Sequence, residues 1–259
     1  MSTKEFDNRH KVAVTAAKAA GKFLLDHFNS TLRITRKKDK SLVTQYDKKA
    51  EDMVIKMIRQ SFPDDNILAE ESIHKKTSSP FTWIIDPLDG THNYIRGVDI
   101  FGTSIGVMHN GVMVVGVIFM PVSKELYAAQ IGKGAYKNGK RIQVSDNDLK
   151  TSTLIYDSTI AVKKGSMIKA LDKLSSRVFN IRMYGSTARS LAYIAEGKAD
   201  LEVEFNDKIW DFAAGAVLIS EAGGHFTDFN GSKKYRMRQP YIACNARTYK
   251  QLLNILKSV

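Results

Sequence analysis

The sequence predicts a layered fold of helices and sheets, α+β in its first half and α/β in its second. Three observations carry this. Two amphipathic helical stretches fill most of the first 61 residues. A run of alternating apolar segments broken by Asn-Gly turns occupies residues 81 to 145. From residue 154 onward, short apolar strands alternate with helical segments.

Taken in order, His10, Val14, Ala17, Gly21, Leu24 and Phe28 recur at helical spacing, which predicts a helix from about Phe6 to Phe28 with small residues on its packing face. A polar basic run, Arg36-Lys37-Lys38-Asp39-Lys40, follows as a loop. A second helix is expected from Gln45 to Ser61, with Thr44 as N-cap, Asp47 near its positive end, and Ala50, Val54, Met57 and Ile58 inward. Ile67-Leu68-Ala69 reads as a strand entering Glu70-Glu71, and residues Ile73 to Pro80 as an exposed loop.

The next stretch, Thr82-Trp83-Ile84-Ile85-Asp86-Pro87-Leu88-Asp89-Gly90-Thr91, is the densest in chemistry. An apolar strand ends in a carboxylate, and Pro87 is expected to stop its ladder. Asp89 follows, and the backbone N–H groups of Gly90 and Thr91 are donors suited to an anion. Two acids at a rigid corner beside such donors point to metal-assisted phosphoryl chemistry. Asn110-Gly111 and Asn138-Gly139 mark hairpins of an antiparallel meander through residue 145.

In the second half, strands are expected at 154–156, 178–181, 201–205, 225–229 and 241–244, with helices at 163–175, 186–196, 211–222 and 246–258. No Pro/Ser-rich linker or internal repeat separates the halves. One unit over 1–259 is expected, its N-terminal half (1–150) carrying most of the acids and its C-terminal half (151–259) carrying Asp211.

Glu70, at a strand end, and Asp211, at a helix start where the dipole favours the ionised form, are placed to join Asp86 and Asp89. Alone, each has a plainer role, as cap, turn or surface acid. Together they are four hard oxygen donors that suit Mg²⁺. The six histidines show no metal-ligand spacing, and His92 is read as a rim or packing residue. Ser104 and Cys244 have no base nearby in sequence, which argues against a covalent nucleophile.

Composition sets the bounds. The chain of 259 residues has a net charge of +12 and one cysteine. Its pI is about 9.6. The charge favours anionic partners. The single cysteine excludes an internal disulfide, and the expected compartment is the cytoplasm. No apolar run reaches the length of a membrane span, and Met1 to Glu5 lacks the layout of a secretory signal.

Asp86-Pro87-Leu88-Asp89-Gly90-Thr91 resembles the DPxDGT motif of the inositol monophosphatase family, Mg²⁺-dependent and lithium-sensitive phosphatases. Ala69-Glu70-Glu71-Ser72, Leu42-Val43-Thr44-Gln45-Tyr46-Asp47 and Trp210-Asp211-Phe212-Ala213-Ala214-Gly215 with Glu221-Ala222-Gly223-Gly224 resemble its other motifs, in order along nearly the whole chain. The resemblance implies an αβαβα sandwich of the sugar phosphatase type, two to three Mg²⁺ ions, and a homodimer. It places one metal on Glu70, Asp86 and the Leu88 carbonyl, a second on Asp86, Asp89 and Asp211, and a third on Glu70 and waters. It makes Glu70 and Thr91 orient the attacking water, with Asp47 accepting from Thr91, while the Gly90 and Thr91 amides hold phosphate.

By the same resemblance, Ser186, Thr187 and Glu204 border the leaving group, and Glu204 would accept from the hydroxyls of a polyol. A surface position is the other reading of Glu204, since Glu202 alternates with it. Arg36 aligns with a loop lysine of the family, with Lys37 and Lys38 as neighbours able to serve, and Ser41 stands where many relatives have Asp. Lys208, Arg182 or Arg189 would meet a second phosphate if facing the cleft.

The expected activity is hydrolysis of a small phosphorylated metabolite, foremost myo-inositol monophosphate. Alternatives are 3′-phosphoadenosine 5′-phosphate, fructose 1,6-bisphosphate, NADP and histidinol phosphate. A different class, a scaffold binding RNA or a transcription factor, fits the charge, but no RNA-binding motif supports it.

Overall fold

The computed structural model describes residues 3–37, 41–72, 74 and 76–257. Lys38, Asp39, Lys40, Ile73 and Lys75, which belong to the expected basic run and loop, lie outside them.

The chain opens with α1 (Thr3–Asp26), then the small hairpin β1 (Ile34–Arg36) and β2 (Leu42–Thr44), then α2 (Gln45–Ser61). The buried stripe of α1 is Ala13, Ala16, Ala17, Ala20, Gly21 and Leu24, while His10 and Val14 are only half-buried. The small residues decide this. They let α1 lie against the sheet so closely that a Cβ on Gly21 would sit 2.5 Å from the Phe119 ring. On α2, Thr44 caps the helix and Asp47 closes a reciprocal capping box with it.

Then come β3 (Asn66–Ala69), β4 (Phe81–Asp89), the short α3 (Thr91–Ile95), β5 (Gly102–His109), β6 (Val112–Met120), β7 (Glu125–Gln130), β8 (Gly134–Lys137) and β9 (Lys140–Ile142). They form a seven-stranded sheet in the order β3-β4-β5-β6-β7-β8-β9. Only the β3–β4 pairing is parallel; the rest is the expected meander. At the β5–β6 hairpin Asn110 and Gly111 both have positive φ, 48° and 82°, as a type I′ turn requires.

The second half contributes β10 (Thr153–Tyr156), α4 (Lys164–Ser175), β11 (Asn180–Arg182), α5 (Thr187–Ala195), β12 (Leu201–Lys208), α6 (Ile209–Glu221), β13 (His225–Thr227), β14 (Arg238–Cys244) and α7 (Ala246–Leu256). Its five strands order as β11-β10-β12-β14-β13.

The layers follow from what each face buries. One core lies between α1, α2 and the seven-stranded sheet. A second, around α5 and α6, joins both sheets. A third lies between the five-stranded sheet and α4 and α7. The result is an αβαβα sandwich. Apolar nearly all round, α6 is the filling between the sheets, as a helix without a wet face must be. Gly106 and Gly116 admit it: a Cβ there would meet Ala213 Cβ at 2.7 Å and Ala214 O at 2.2 Å. That close approach brings the start of α6 to the end of β4.

Candidate active site

The acids converge for identifiable local reasons. Parallel pairing sets Ala69 beside Ile85, and Glu70 N donates to Ile85 O at 3.2 Å, so Glu70 leaves β3 beside Asp86. Pro87 does not end β4, contrary to expectation. The strand runs on to Asp89, and its register against β5 shifts between Asp86 and Asp89. Such an irregularity re-aims side chains by interrupting the ladder locally, and pairing resumes at Asp89. The missing N–H is tolerated, and Thr103 Oγ1 donates to Pro87 O at 3.0 Å. Leu88 N donates to Asp86 Oδ1 at 3.0 Å.

Gly90 then takes φ 82°, and a Cβ there would lie 2.7 Å from Ile100 O, so no other residue turns this corner without strain. Thr91 follows. Its Oγ1 lies 3.1 Å from Asp47 Oδ1 and 3.0 Å from the Leu88 carbonyl. One hydroxyl proton serves one of these acceptors at a time. Asp47 is fixed from its own side by Thr44, through N at 2.9 Å and Oγ1 at 2.5 Å. Burial raises the Asp47 pKa despite those hydrogen bonds.

Asp89 is gripped by the start of α5. Ser186, the N-cap, donates its hydroxyl to Asp89 Oδ1, and Ala188 N reaches Oδ2 at 3.2 Å. Ser186 thus acts on an acid rather than standing free at the leaving-group side. Asp211 is the third residue of α6, which starts two residues earlier than expected; its Oδ2 accepts from Lys208 N at 2.7 Å.

The electrostatics of the cluster are lopsided. Burial, and then the charges of Glu70, Asp89, Asp211 and Asp47, push the Asp86 carboxyl well above its usual range. Asp89 is raised to about 6, by burial first. Asp211 is raised well above the usual value by burial, Asp207 and Glu70, against the pull of the helix dipole.

Among the described residues no three His, Cys, Asp or Glu side chains stand close enough to enclose an ion as placed; each acid is held by its own hydrogen bond. The donor chemistry nevertheless fits a hard divalent cation. The donors are all oxygen, they share one cleft, and they carry like charge in burial.

Of the expected loop cations among the described residues, Lys37 reaches the acids. Its Nζ lies 2.8 Å from Glu70 Oε1 and 2.5 Å from Glu71 Oε1. Burial opposes the Lys37 charge, but Glu70 and Glu71 outweigh it and raise its pKa. Arg36 is exposed in β1, and Ser41 lines the cleft. Lys38 lies outside the described residues.

The cleft encloses about 340 Å³. Its far wall is built from β10, β12 and α5. Glu204 and Glu202 are both buried, at 6% and 2% exposure, which overturns the surface reading. A two-residue alternation looks the same in a strand covered on both faces. Asp157 and Asp207, which sequence reasoning missed, complete this wall. Asp207 Oδ2 accepts from Thr187 Oγ1 at 2.9 Å and from Tyr241 OH at 3.2 Å, and burial raises its pKa to about 7. Asp157 was findable in principle, since it follows the apolar strand residues Leu154-Ile155-Tyr156 much as Asp86 follows Trp83-Ile84-Ile85.

Arg189 does not face the cleft. It is buried and pairs with Glu125 at 2.5 Å. Arg182 does not line the cleft either; Lys208 does, and so does Arg238, another residue that was missed. His92 is an exposed lining residue. Cys244 is buried, and burial pushes its thiol up to about 12, a poor nucleophile. Ser104 is fully buried opposite Asp86, and its hydroxyl has no hydrogen-bond partner among the described residues.

The model of the inositol monophosphatase family matches residues 5–258. A Thermotoga maritima protein named fructose-1,6-bisphosphatase/inositol-1-monophosphatase is 32% identical over 253 residues, 97% of each chain. The Nus factor SuhB of Escherichia coli K12 is 36% identical over 248 residues, 93% of each chain. The native crystal structure of extragenic suppressor protein suhB from Bartonella henselae superposes with a TM-score of 0.91 at 33% identity, covering 95% of this chain and 97% of that one.

Proposed function

Because this chain belongs to the inositol monophosphatase family, we propose that it is a Mg²⁺-dependent phosphomonoesterase, with myo-inositol monophosphate as its foremost substrate, cleaved to inositol and phosphate. The observation that carries the reading is the convergence of Glu70, Asp86, Asp89 and Asp211 on one cleft beside the Gly90–Thr91 corner.

Glu70, Asp86, Asp89, Asp211 and the Leu88 carbonyl would hold two to three Mg²⁺ ions. When bound, these ions would lower the pKa of a water, neutralise the phosphate and stabilise the departing alkoxide. The chain's own groups do the rest. Thr91, tethered by Asp47, and Glu70 orient the attacking water. The amides of Gly90 and Thr91 hold phosphate oxygens. Glu204 and Thr187 border the leaving alcohol, and a buried carboxylate there suits a polyol whose hydroxyls can donate to it. Ser186 acts through Asp89. Lithium sensitivity, a homodimer and a cytoplasmic location belong to the same reading and rest on the family alone.

The test is phosphate release from inositol 1-phosphate with Mg²⁺, with EDTA, and by Asp89→Asn. Release only by the wild type with Mg²⁺ is expected; equal release in all three would refute the metal mechanism.

A second reading, a regulatory scaffold binding RNA, is favoured by the relatives named Nus factor SuhB and by one surface. α4, the turn that follows it, and α7 expose Lys164, Lys169, Arg177, Arg247 and Lys250. A mobility shift with RNA that weakens as salt rises supports it, and no shift at low salt excludes it.

A further inference from the structure

Asn93 does not line the cleft, yet its side chain meets two stretches of backbone that shape it. Its Nδ2 donates to Ile100 O at 2.9 Å and to Tyr184 O at 2.8 Å, and lies 3.3 Å from Gly185 O. The amide has two protons, so the two short contacts take one each and the third is shared.

One end of this link is the phosphate corner. Asn93 stands on α3, two residues past Thr91, and Tyr94 N donates to Gly90 O at 3.0 Å. Tyr94 is buried and donates its hydroxyl to Leu24 O at 2.8 Å, which pins α3 to α1. Ile100 O is the same carbonyl that a Cβ on Gly90 would strike. The corner is therefore fixed before Asn93 reaches across.

The other end is the connector from β11 to α5. Tyr184 and Gly185 line the cleft, and the chain runs from them directly into Ser186 and Thr187. Gly185 takes φ 64°. Glycine is the residue least restrained by its own side chain, so an outside tie decides where this connector rests. Thr187 Oγ1 donates to Asp207 Oδ2 at 2.9 Å, so a shift of the connector carries into the far wall.

We propose that Asn93 is a positioning residue for the leaving alcohol: it sets the spacing between the Gly90–Thr91 corner and the Ser186–Thr187 border, and through that spacing selects the alcohol. The inference rests on the phosphatase reading and deepens it. Only a donor with two protons serves both segments from this position. In the isosteric Asn93→Asp variant a carboxylate would face three carbonyl oxygens, and the connector would move away from the corner.

The experiment compares kcat/KM for inositol 1-phosphate and 4-nitrophenyl phosphate in the wild type, Asn93→Asp and Asn93→Ala. Both esters use the same acids and the same corner, but only the first carries hydroxyls for Thr187 and Glu204. The ratio of inositol phosphate to nitrophenyl phosphate is expected to fall about 10- to 100-fold, the cost of a small misplacement. A loss of fold or of metal binding lowers both esters alike, and an unchanged ratio overturns the proposal. Asn93→Ala removes the donors without adding charge and keeps the comparison open where the aspartate variant does not fold. A wild type that hydrolyses neither ester refutes the phosphatase reading and the proposal with it.

Hydrogen exchange reads the tie without turnover. In Asn93→Ala the amides of residues 185–189 should exchange about 10-fold faster, while those of β6 keep the wild-type rate. Unchanged exchange overturns the proposal, and so does faster exchange with an unchanged ratio, which would assign Asn93 to stability alone.

Discussion

Ser186 donates its hydroxyl to Asp89 and accepts from Arg189 N at 3.2 Å, so one side chain both caps α5 and ties that helix to the acid cluster. Ser186→Ala is expected to lose a cap worth about 1 kcal/mol. The melting temperature should fall by about 2–4 °C. The Mg²⁺ concentration needed for half-maximal phosphatase activity should rise, because Asp89 loses a tether. A metal titration unchanged from the wild type would show that Ser186 serves stability alone.

Asp86 is surrounded by like charges, and its one hydrogen bond, from Leu88 N, can be kept by an amide. Asp86→Asn should lower phosphate release by about 100-fold or more. In EDTA the same variant should melt higher than the wild type, since repulsion in the cluster is relieved. Opposite effects on activity and stability are the signature; a lower melting temperature in EDTA would contradict it.

Metal-free stability should depend on pH in a definite direction. Asp89, at about 6, and Asp207, at about 7, are raised from the usual 3.8. Their native forms hold protons that the unfolded chain has released. Their contribution is full below about pH 4 and is lost as pH rises through 6 and 7. Glu125 behaves oppositely. Burial pushes it up, but Lys137, Arg189 and Ser123 outweigh burial and hold it at about 2, so its contribution is lost only below the usual 4.5. Thermal melts in EDTA should therefore show higher stability near pH 5 than near pH 8. Asp207→Asn should flatten the upper limb; an unchanged slope would refute this origin.

Lys37 lies 2.8 Å from Glu70 Oε1, where a cation serving Glu70 would compete with it. Lys37→Gln should lower the Mg²⁺ concentration needed for half-maximal activity by about 3- to 10-fold, taking a charge-assisted hydrogen bond as the competitor. A weaker metal response would instead assign Lys37 to substrate.

Gly116→Ala tests the contact that places Asp211. The added Cβ would lie 2.2 Å from Ala214 O, so α6 must move off the sheet. A cost of about 1–3 kcal/mol is expected, together with lost activity. Normal activity at reduced stability would mean that the start of α6 is insensitive to the packing of its middle.

The parts of the site made by local chain geometry were legible in the sequence. The Asp86–Thr91 corner, the Thr44 cap and the Glu70 strand end are each set by neighbours in the chain, and α2 lies where its periodicity put it. What depended on distant packing was not legible. Arg189 looked like a cleft cation because nothing local shows that Glu125 and Ser123 wait beneath α5. Glu202 and Glu204 resembled a wet strand face because alternation does not say that a helix layer covers it. Pro87 read as a stop because the register shift that accommodates it is a property of the pair β4–β5.

The position of α6 between the sheets has a consequence for synthesis. The ribosome completes the whole seven-stranded sheet before it makes α6, so the glycine-floored face of β5 and β6 stands bare while the remaining chain is translated. A nascent chain at that stage has three of the four acids, no shelter for its apolar inner surface, and every reason to aggregate. Arrival of α6 covers the surface and delivers Asp211 in the same event. Metal loading would thus report that α6 has been made and has packed between the sheets, and a chain truncated before α6 should be found in the pellet rather than as a weakened phosphatase.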